Sequence, residues 1–247
     1  IVEKEFKGDI VFKDVWFAYN EPTFVLKDIN FSLSPGETVA FVGATGAGKS
    51  SVINLLSRFY EYQKGEIIVD GDELRDIDVD LIRKNVAVVL QDVFLYSDTV
   101  LNNITLGDNS ISREKVIEAS RLVGAHEFIM ALPENYDFAV GERGGMLSVG
   151  QRQLISFIRA YVYNPSILIL DEATSSIDTD SEELIQSAIE KLTEGRTSII
   201  IAHRLSTISK ADKIIVMDQG EIIESGSHQE LLSLDGSYKR LYDIQYK

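Results

Sequence analysis

The sequence contains no cysteine. That excludes a disulfide scaffold, a thiolate metal site and a cysteine nucleophile. It also lacks any run of about 18 apolar residues, the length a membrane-spanning helix needs. The longest candidate, residues 154–170, is interrupted by Arg159, Asn164 and Pro165. The N-terminus, Ile-Val-Glu-Lys-Glu, has neither the basic cap nor the apolar core of a signal peptide. It has no initiator Met either, so a piece of a longer protein is expected. Positive charge is scarce: 24 Lys and Arg face 39 Asp and Glu, a net −15. An extended nucleic-acid or anionic-membrane surface needs a basic face, and this balance opposes one.

What is present is ordinary globular material. Hydrophobic residues make up 45% and charged residues 26%, so a disordered or low-complexity class is out. Residues 10–19 and 26–33 carry β-branched and aromatic residues on either side of an Asn-Glu-Pro break, and read as an antiparallel strand pair. Residues 37–42 form a short apolar strand entering a Gly-rich turn, and 49–60 continue at helical period. Further strands are expected at 66–70 and 86–90, the latter apolar throughout as a buried parallel strand should be. From 92 to 163 the spacing turns helical, at 113–123, 126–132 and 148–163. Strand patterns return at 167–170, 198–202 and 213–217. An α/β sheet split by a helical insert results.

The turn after the third strand reads Gly43-Ala-Thr45-Gly46-Ala47-Gly48-Lys49-Ser50-Ser51. It satisfies the G-x-x-x-x-G-K-[ST] pattern, with a strand before and a helix after. Such a loop wraps backbone N–H groups around a polyphosphate and aims a helix N-terminus at the anion. Lys49 supplies a point charge to the outer phosphates, and the Ser50 hydroxyl can bind Mg²⁺.

The strand at 167–170 ends in Asp171-Glu172. Two carboxylates closing a buried strand are costly unless a cation or a reaction uses them. In a phosphate-loop enzyme the first acid helps hold Mg²⁺ and the second can act as base on water. A helix N-terminal acid pair would account for them less demandingly. His203 follows the strand at 198–202, on the sheet edge where ligands of open α/β folds gather. Gln91 follows 86–90 in the same way. His126 and His228 read as structural.

These residues closely resemble the nucleotide-binding domain of an ATP-binding cassette (ABC) exporter, over nearly the whole chain. Gly43 to Ser50 matches the Walker A loop and Ile167 to Glu172 the Walker B strand. Leu147-Ser148-Val149-Gly150-Gln151 looks like the signature, Gln91 the Q-loop, Ser176-Ile-Asp178 the D-loop, His203 the switch histidine and Tyr19 the adenine-stacking aromatic. Ala139-Val-Gly-Glu-Arg-Gly144 is similar to the exporter X-loop.

The resemblance implies an α/β P-loop NTPase fold: a RecA-like core with an antiparallel β-subdomain (1–91 and 164–247) and an inserted α-helical subdomain (92–163). It implies ATP and Mg²⁺ at a head-to-tail dimer of cassettes, with a transmembrane domain upstream on the same chain at the cytoplasmic face of a membrane. Tyr19 would stack the base, while Lys49, Thr45, Ser51 and the loop amides hold phosphates. Ser50, Gln91 and Asp171 would serve Mg²⁺, Glu172 would polarise water and His203 would contact the γ-phosphate. Ser148, Gly150 and Gln151 of the opposite chain would cap that phosphate, and Asp178 would link the two sites.

Two positions depart from the family pattern. Val149 stands where the signature usually has Gly. A β-branched residue resists positive φ and places methyls where bare backbone would approach phosphate. Leu154 likewise replaces a usual Arg. With Glu172 and His203 intact, the expectation is one half of a heterodimeric exporter, lending an altered signature to a non-identical partner. A homodimeric exporter that tolerates Val149 is the alternative. DNA-maintenance ATPases of the same superfamily need long coiled-coil arms between Ser50 and Leu147, and no sustained heptads occur there. A non-hydrolysing sensor would not need Glu172.

Charge is distributed to match. Residues 41–60 and 141–160 each sum to +2, although 66–80 holds seven acids against Arg75 and 171–194 holds eight against Lys191. Both phosphate-facing segments are locally positive within an acidic chain.

Overall fold

A computed structural model describes residues 6–171 and 179–246. The chain divides into two compact units, one built on two sheets and one helical.

In the first unit, β1 (Ile10–Phe17) and β2 (Leu26–Leu33) form the expected antiparallel pair, with Ile10 opposite Leu33 and Phe17 opposite Leu26. β4 (Lys64–Val69) pairs antiparallel on the other side of β1, and β5 (Asp72–Glu73) completes a four-stranded sheet in the order β2-β1-β4-β5. A six-stranded sheet runs β10-β9-β3-β8-β7-β6. Its members are β3 (Thr38–Val42), β6 (Val86–Val89), β7 (Ile167–Asp171), β8 (Thr197–Ile201), β9 (Lys213–Asp218) and β10 (Glu221–Gly226). β3 lies parallel between β8 and β9, and β7 is parallel to β8. Strands β3, β7 and β8 are apolar nearly throughout, as strands covered on both faces must be. β10 is an antiparallel partner of β9 whose residues alternate between exposed and half-buried.

Helix α1 (Lys49–Leu56) packs Val52, Ile53, Leu55 and Leu56 into one core with Phe12 and Ile67 of the small sheet and Phe41 and Ile215 of the large one. The helix is shorter than its periodicity predicts, because Arg58 turns into the left-handed region at φ 54°. α2 (Val79–Asn85) is N-capped by Asp78, and α8 (Leu205–Ile208), α9 (His228–Ser233) and α10 (Ser237–Tyr246) follow the later strands. The hydroxyl of Thr197, wholly buried, accepts from Gly36 N–H at 3.0 Å and donates to the Gly8 carbonyl at 2.8 Å. It fixes the start of β8 against two distant segments.

The second unit comprises α3 (Val100–Thr105), α4 (Arg113–Val123), α5 (His126–Ala131), α6 (Val149–Val162) and α7 (Thr179–Thr193). α6 is its centre, touching α3, α4 and α7. Buried Asn103 donates to the carbonyls of Tyr96 and Thr99 and accepts from Tyr96 N–H, which satisfies the loop entering α3. Packing groups α7 with these helices, so this unit takes in a segment beyond the 92–163 insert expected from periodicity.

Candidate active site

The loop between β3 and α1 is held by close backbone packing. Gly43 has φ 149°, and a Cβ built there would lie 2.2 Å from the Met217 carbonyl oxygen of β9. Gly48, at φ 107°, is the N-cap of α1, with no side-chain cap and no acid in the first turn. The first amides of α1 therefore lack partners within the helix and face outward with the positive end of its dipole. Opposite, the Ala47 carbonyl accepts from Gly220 N–H at 3.0 Å, and Gly220 accepts from Lys27 N–H at 2.8 Å. The loop is thus tied to the β9–β10 turn and through it to β2. Thr45, Gly46 and Ser50 are exposed, whereas Ala47 and Ser51 are buried.

Lys49 is 8% exposed, and its ammonium donates to the carbonyls of Gly43 and Ala44 at 2.7 and 2.9 Å. Burial holds its pKa below the ordinary lysine value, and the Asp171 carboxylate works against that shift. Burial also lowers the pKa of His203, with the Lys49 charge adding to the effect. Lys49 thus lies within electrostatic reach of both Asp171 and His203. The three sit at the carboxyl ends of β3, β7 and β8, three neighbours in the large sheet. His203 is mainly neutral at pH 7, able to donate one hydrogen bond to a phosphate oxygen.

Tyr19 stands beside α1. Its hydroxyl lies 3.1 Å from Ser51 Oγ and accepts from Asn54 Nδ2 at 2.8 Å. Its ring meets Phe17 and Tyr60 edge-on, with centroids at 4.7 and 4.8 Å, and 41% of the residue is exposed. Asn54 and Tyr60 are contacts that motif reading did not single out. Asn54 lies on the helix that follows the loop, five residues beyond Lys49, where a polar residue signals nothing by spacing alone.

Among the described residues no group of three or more His, Cys, Asp or Glu could hold a metal ion by itself. Exposed Ser50 and the Asp171 carboxylate are hard oxygen donors on the same sheet edge. That sparse set fits Mg²⁺, which keeps waters and shares its coordination with substrate phosphates. Glu172 and Asp178 lie outside the described residues.

The signature segment belongs to the helical unit, as does Gln91, which is exposed two residues beyond the end of β6. Ser148 is the N-cap of α6. Its Oγ accepts from Gln151 N–H at 3.1 Å, and its own N–H donates to Gln151 Oε1 at 3.0 Å. This reciprocal capping box leaves the Ser148 hydroxyl proton to serve an outside acceptor. Val149 is the first residue of α6 and is not among the residues with positive φ. The expectation that a β-branched residue would resist the backbone here is therefore wrong, since a helical first position accommodates valine. Only the projection of its methyls, on an exposed residue, remains as a difference from glycine.

With this geometry in view, comparison with known proteins is direct. A family model described as ABC transporter matches residues 26–175, well over half of the chain. A Staphylococcus aureus relative, provisionally named a multidrug export ATP-binding/permease protein, is 50% identical over 97% of this chain and 42% of its own length. A Bacillus subtilis relative, provisionally named a multidrug resistance ABC transporter ATP-binding/permease protein, is 48% identical over 96% of this chain and 35% of its own. The solved structure of a bacterial Atm1-family ABC exporter with ATP bound superposes with a TM-score of 0.92 at 39% identity, covering 99% of this chain and 43% of that one. The chain belongs to the ABC transporter family and has its ATPase fold. It is an ATP-binding, ATP-hydrolysing domain, and it spans less than half the length of these relatives.

Proposed function

We propose that this chain binds Mg²⁺-ATP at the interface of two cassettes packed head to tail, and that its hydrolysis drives export by an attached transmembrane domain at the cytoplasmic face of a membrane. The observation that carries the site is the convergence of Lys49, Asp171 and His203 beside the uncapped N-terminus of α1. Tyr19 stacks the base. Lys49, Thr45, Ser51 and the amides of Gly46, Ala47 and Gly48 hold phosphates, Lys49 exchanging its two loop carbonyls for them. Ser50, Asp171 and Gln91 hold the metal, which when bound neutralises developing charge on the phosphate oxygens. Glu172 orients and deprotonates water, and His203 donates to the γ-phosphate. Ser148, Gly150 and Gln151 offer the other cassette the N-terminus of α6, and Asp178 connects the two sites. Neither α1 nor α6 carries an acid in its first turn, and that supports a role for both helix ends toward an anion.

Substituting Glu172→Gln tests the reading: ATP binding is retained and turnover is lost. Unchanged turnover would remove Glu172 from the base role.

Val149 supports the finer reading that the partner is a different chain with an intact signature. Its methyls stand at the end of α6 that would face the partner's nucleotide. If this chain alone turns over ATP as fast as the mixed pair, the partner is a second copy.

A further inference from the structure

The C-terminal helix α10 reaches the space beside His203. A cavity of about 50 Å³ is bounded by Gly43 and Ala44 of the phosphate loop, by His203, and by Tyr238, Leu241 and Tyr242 of α10. That volume admits a few waters. Ligand sites are commonly several hundred Å³, so the space is too small to be one. What it does is set the surroundings of its lining groups. All of them lie in the sheet-built unit.

The α10 wall is itself fixed from two sides. The Glu224 carboxylate, on β10, accepts from the N–H groups of Ser237 and Tyr238 at 2.5 and 2.9 Å, placing a negative charge at the start of the helix. Nδ1 of His228, the first residue of α9, lies 2.6 Å from the Tyr238 hydroxyl, and its ring meets those of Tyr238 and Tyr242 with centroids 5.8 Å away. Tyr238 is 3% exposed. Every part of this arrangement lies outside the phosphate-binding motifs.

We propose that α10 is a positioning element for His203, in which the rings of Tyr238 and Tyr242, held by His228 and Glu224, fix the imidazole beside the phosphate loop. This rests on the role given to His203 above. A histidine at a strand end has two free side-chain torsions. A hydrogen-bond donor helps a developing phosphate charge most when it need not reorganise. The wall bounds the same small space as the imidazole and so restricts the rotamers open to it. Tyr238 and Tyr242 act through His203 and touch no reacting atom.

The experiment compares Tyr242→Ala, Tyr242→Phe, His203→Ala and the double variant Tyr242→Ala/His203→Ala in the full chain. Tyr242 is only half-buried, so its truncation should leave the fold intact. Tyr242→Ala is expected to lower kcat roughly ten- to hundredfold, with the KM for ATP unchanged and Tyr242→Phe close to the original. In the His203→Ala background the same truncation should cost nothing further. A second reading does not depend on turnover: the chain has three histidines, and ring-labelled NMR identifies His203 by its loss in His203→Ala. Its signal should move or broaden in Tyr242→Ala, while that of His126 stays. Leu241→Ala addresses the same wall if Tyr242→Ala does not fold. An equal loss in both backgrounds, a parallel rise in KM, or an unmoved His203 signal overturns the proposal. If His203→Ala itself leaves turnover unchanged, the failure belongs to the role assigned to His203, not to the wall.

Discussion

Lys49 donates to the Gly43 carbonyl at 2.7 Å, so the lysine proposed to serve a phosphate is folded back onto the first residue of its own loop. The second bond, to Ala44, makes the arrangement bidentate. In the proposed role, nucleotide binding would exchange these neutral acceptors for charged ones, a stronger class of hydrogen bond. Lys49→Met keeps the aliphatic length and removes the exchange. ATP affinity should fall by at least about tenfold, equivalent to ~1.4 kcal/mol, and turnover should disappear. Calorimetric titration with ATP and a steady-state phosphate assay check both.

Two glycines of the loop should respond differently to alanine. At Gly43 a Cβ would collide with the Met217 carbonyl, whereas at Gly46, with φ 83°, it would meet nothing within 4 Å. Gly46→Ala should cost only the left-handed backbone penalty, about 1–2 kcal/mol. Gly43→Ala must also displace β9 or the loop, and should cost clearly more. Urea denaturation of the two variants ranks them, and the reverse order would contradict the packing described.

His203 makes stability depend on pH in a definite direction. Its folded pKa lies below the ordinary histidine value of 6.5, so below that pH the unfolded chain binds more protons than the folded one. The linked stability is present in full above about 6.5 and is lost as pH falls through that value toward the folded pKa. His203→Gln removes this titration. Melting curves at pH 8 and pH 5 should show a smaller acid loss for the variant than for the unmodified chain. An equal loss would mean that His203 is not desolvated.

Ser148→Ala should destabilise the helical unit by about 1 kcal/mol through loss of the capping box. Val149→Gly should change stability by less than about 1 kcal/mol, because it exchanges one helical residue for a poorer helix former at the first turn. Thermal melts with hydrogen exchange on α6 distinguish the two. A large stabilisation by Val149→Gly would indicate backbone strain, contrary to the helical conformation found.

Thr197→Val keeps the shape but leaves the Gly8 carbonyl and Gly36 N–H without their shared hydroxyl. The buried Gly8 carbonyl loses its partner at a cost of about 1–3 kcal/mol, whereas exposed Gly36 can turn its N–H to water, so this conservative change should still be clearly destabilising. Denaturant midpoints check it.

The phosphate loop was legible because its whole chemistry lies in consecutive residues, and β3, β7 and β8 because strands buried on both faces are apolar throughout. The antiparallel pair at 10–17 and 26–33 was legible by composition. β10 was not: Glu221–Gly226 offers no apolar face, and it is a strand because β9 pairs with it. α2 and α3 are short, and their caps, Asp78 and Thr99, carry more signal than their periodicity. Val149 misled because a glycine in a motif suggests positive φ, whereas this position opens a helix. The contacts of Tyr19 with Asn54 and of α10 with the His203 cavity depend on tertiary packing, which no local pattern encodes.

The pairing of β3 bears on how such a domain is made. Thr38 is in register with Ser198, and Val39 with Lys213, so the strand that launches the phosphate loop is completed by segments roughly 160–175 residues later. A ribosome emits residues at about 5–20 per second, so β3 waits many seconds for its neighbours. During that interval the nascent loop has no β9 behind Gly43 and no β8 to bring His203. A nucleotide captured by the emerging chain would therefore report that synthesis had passed the ninth strand, and contacts of such long range place this sheet among the slower topologies to assemble.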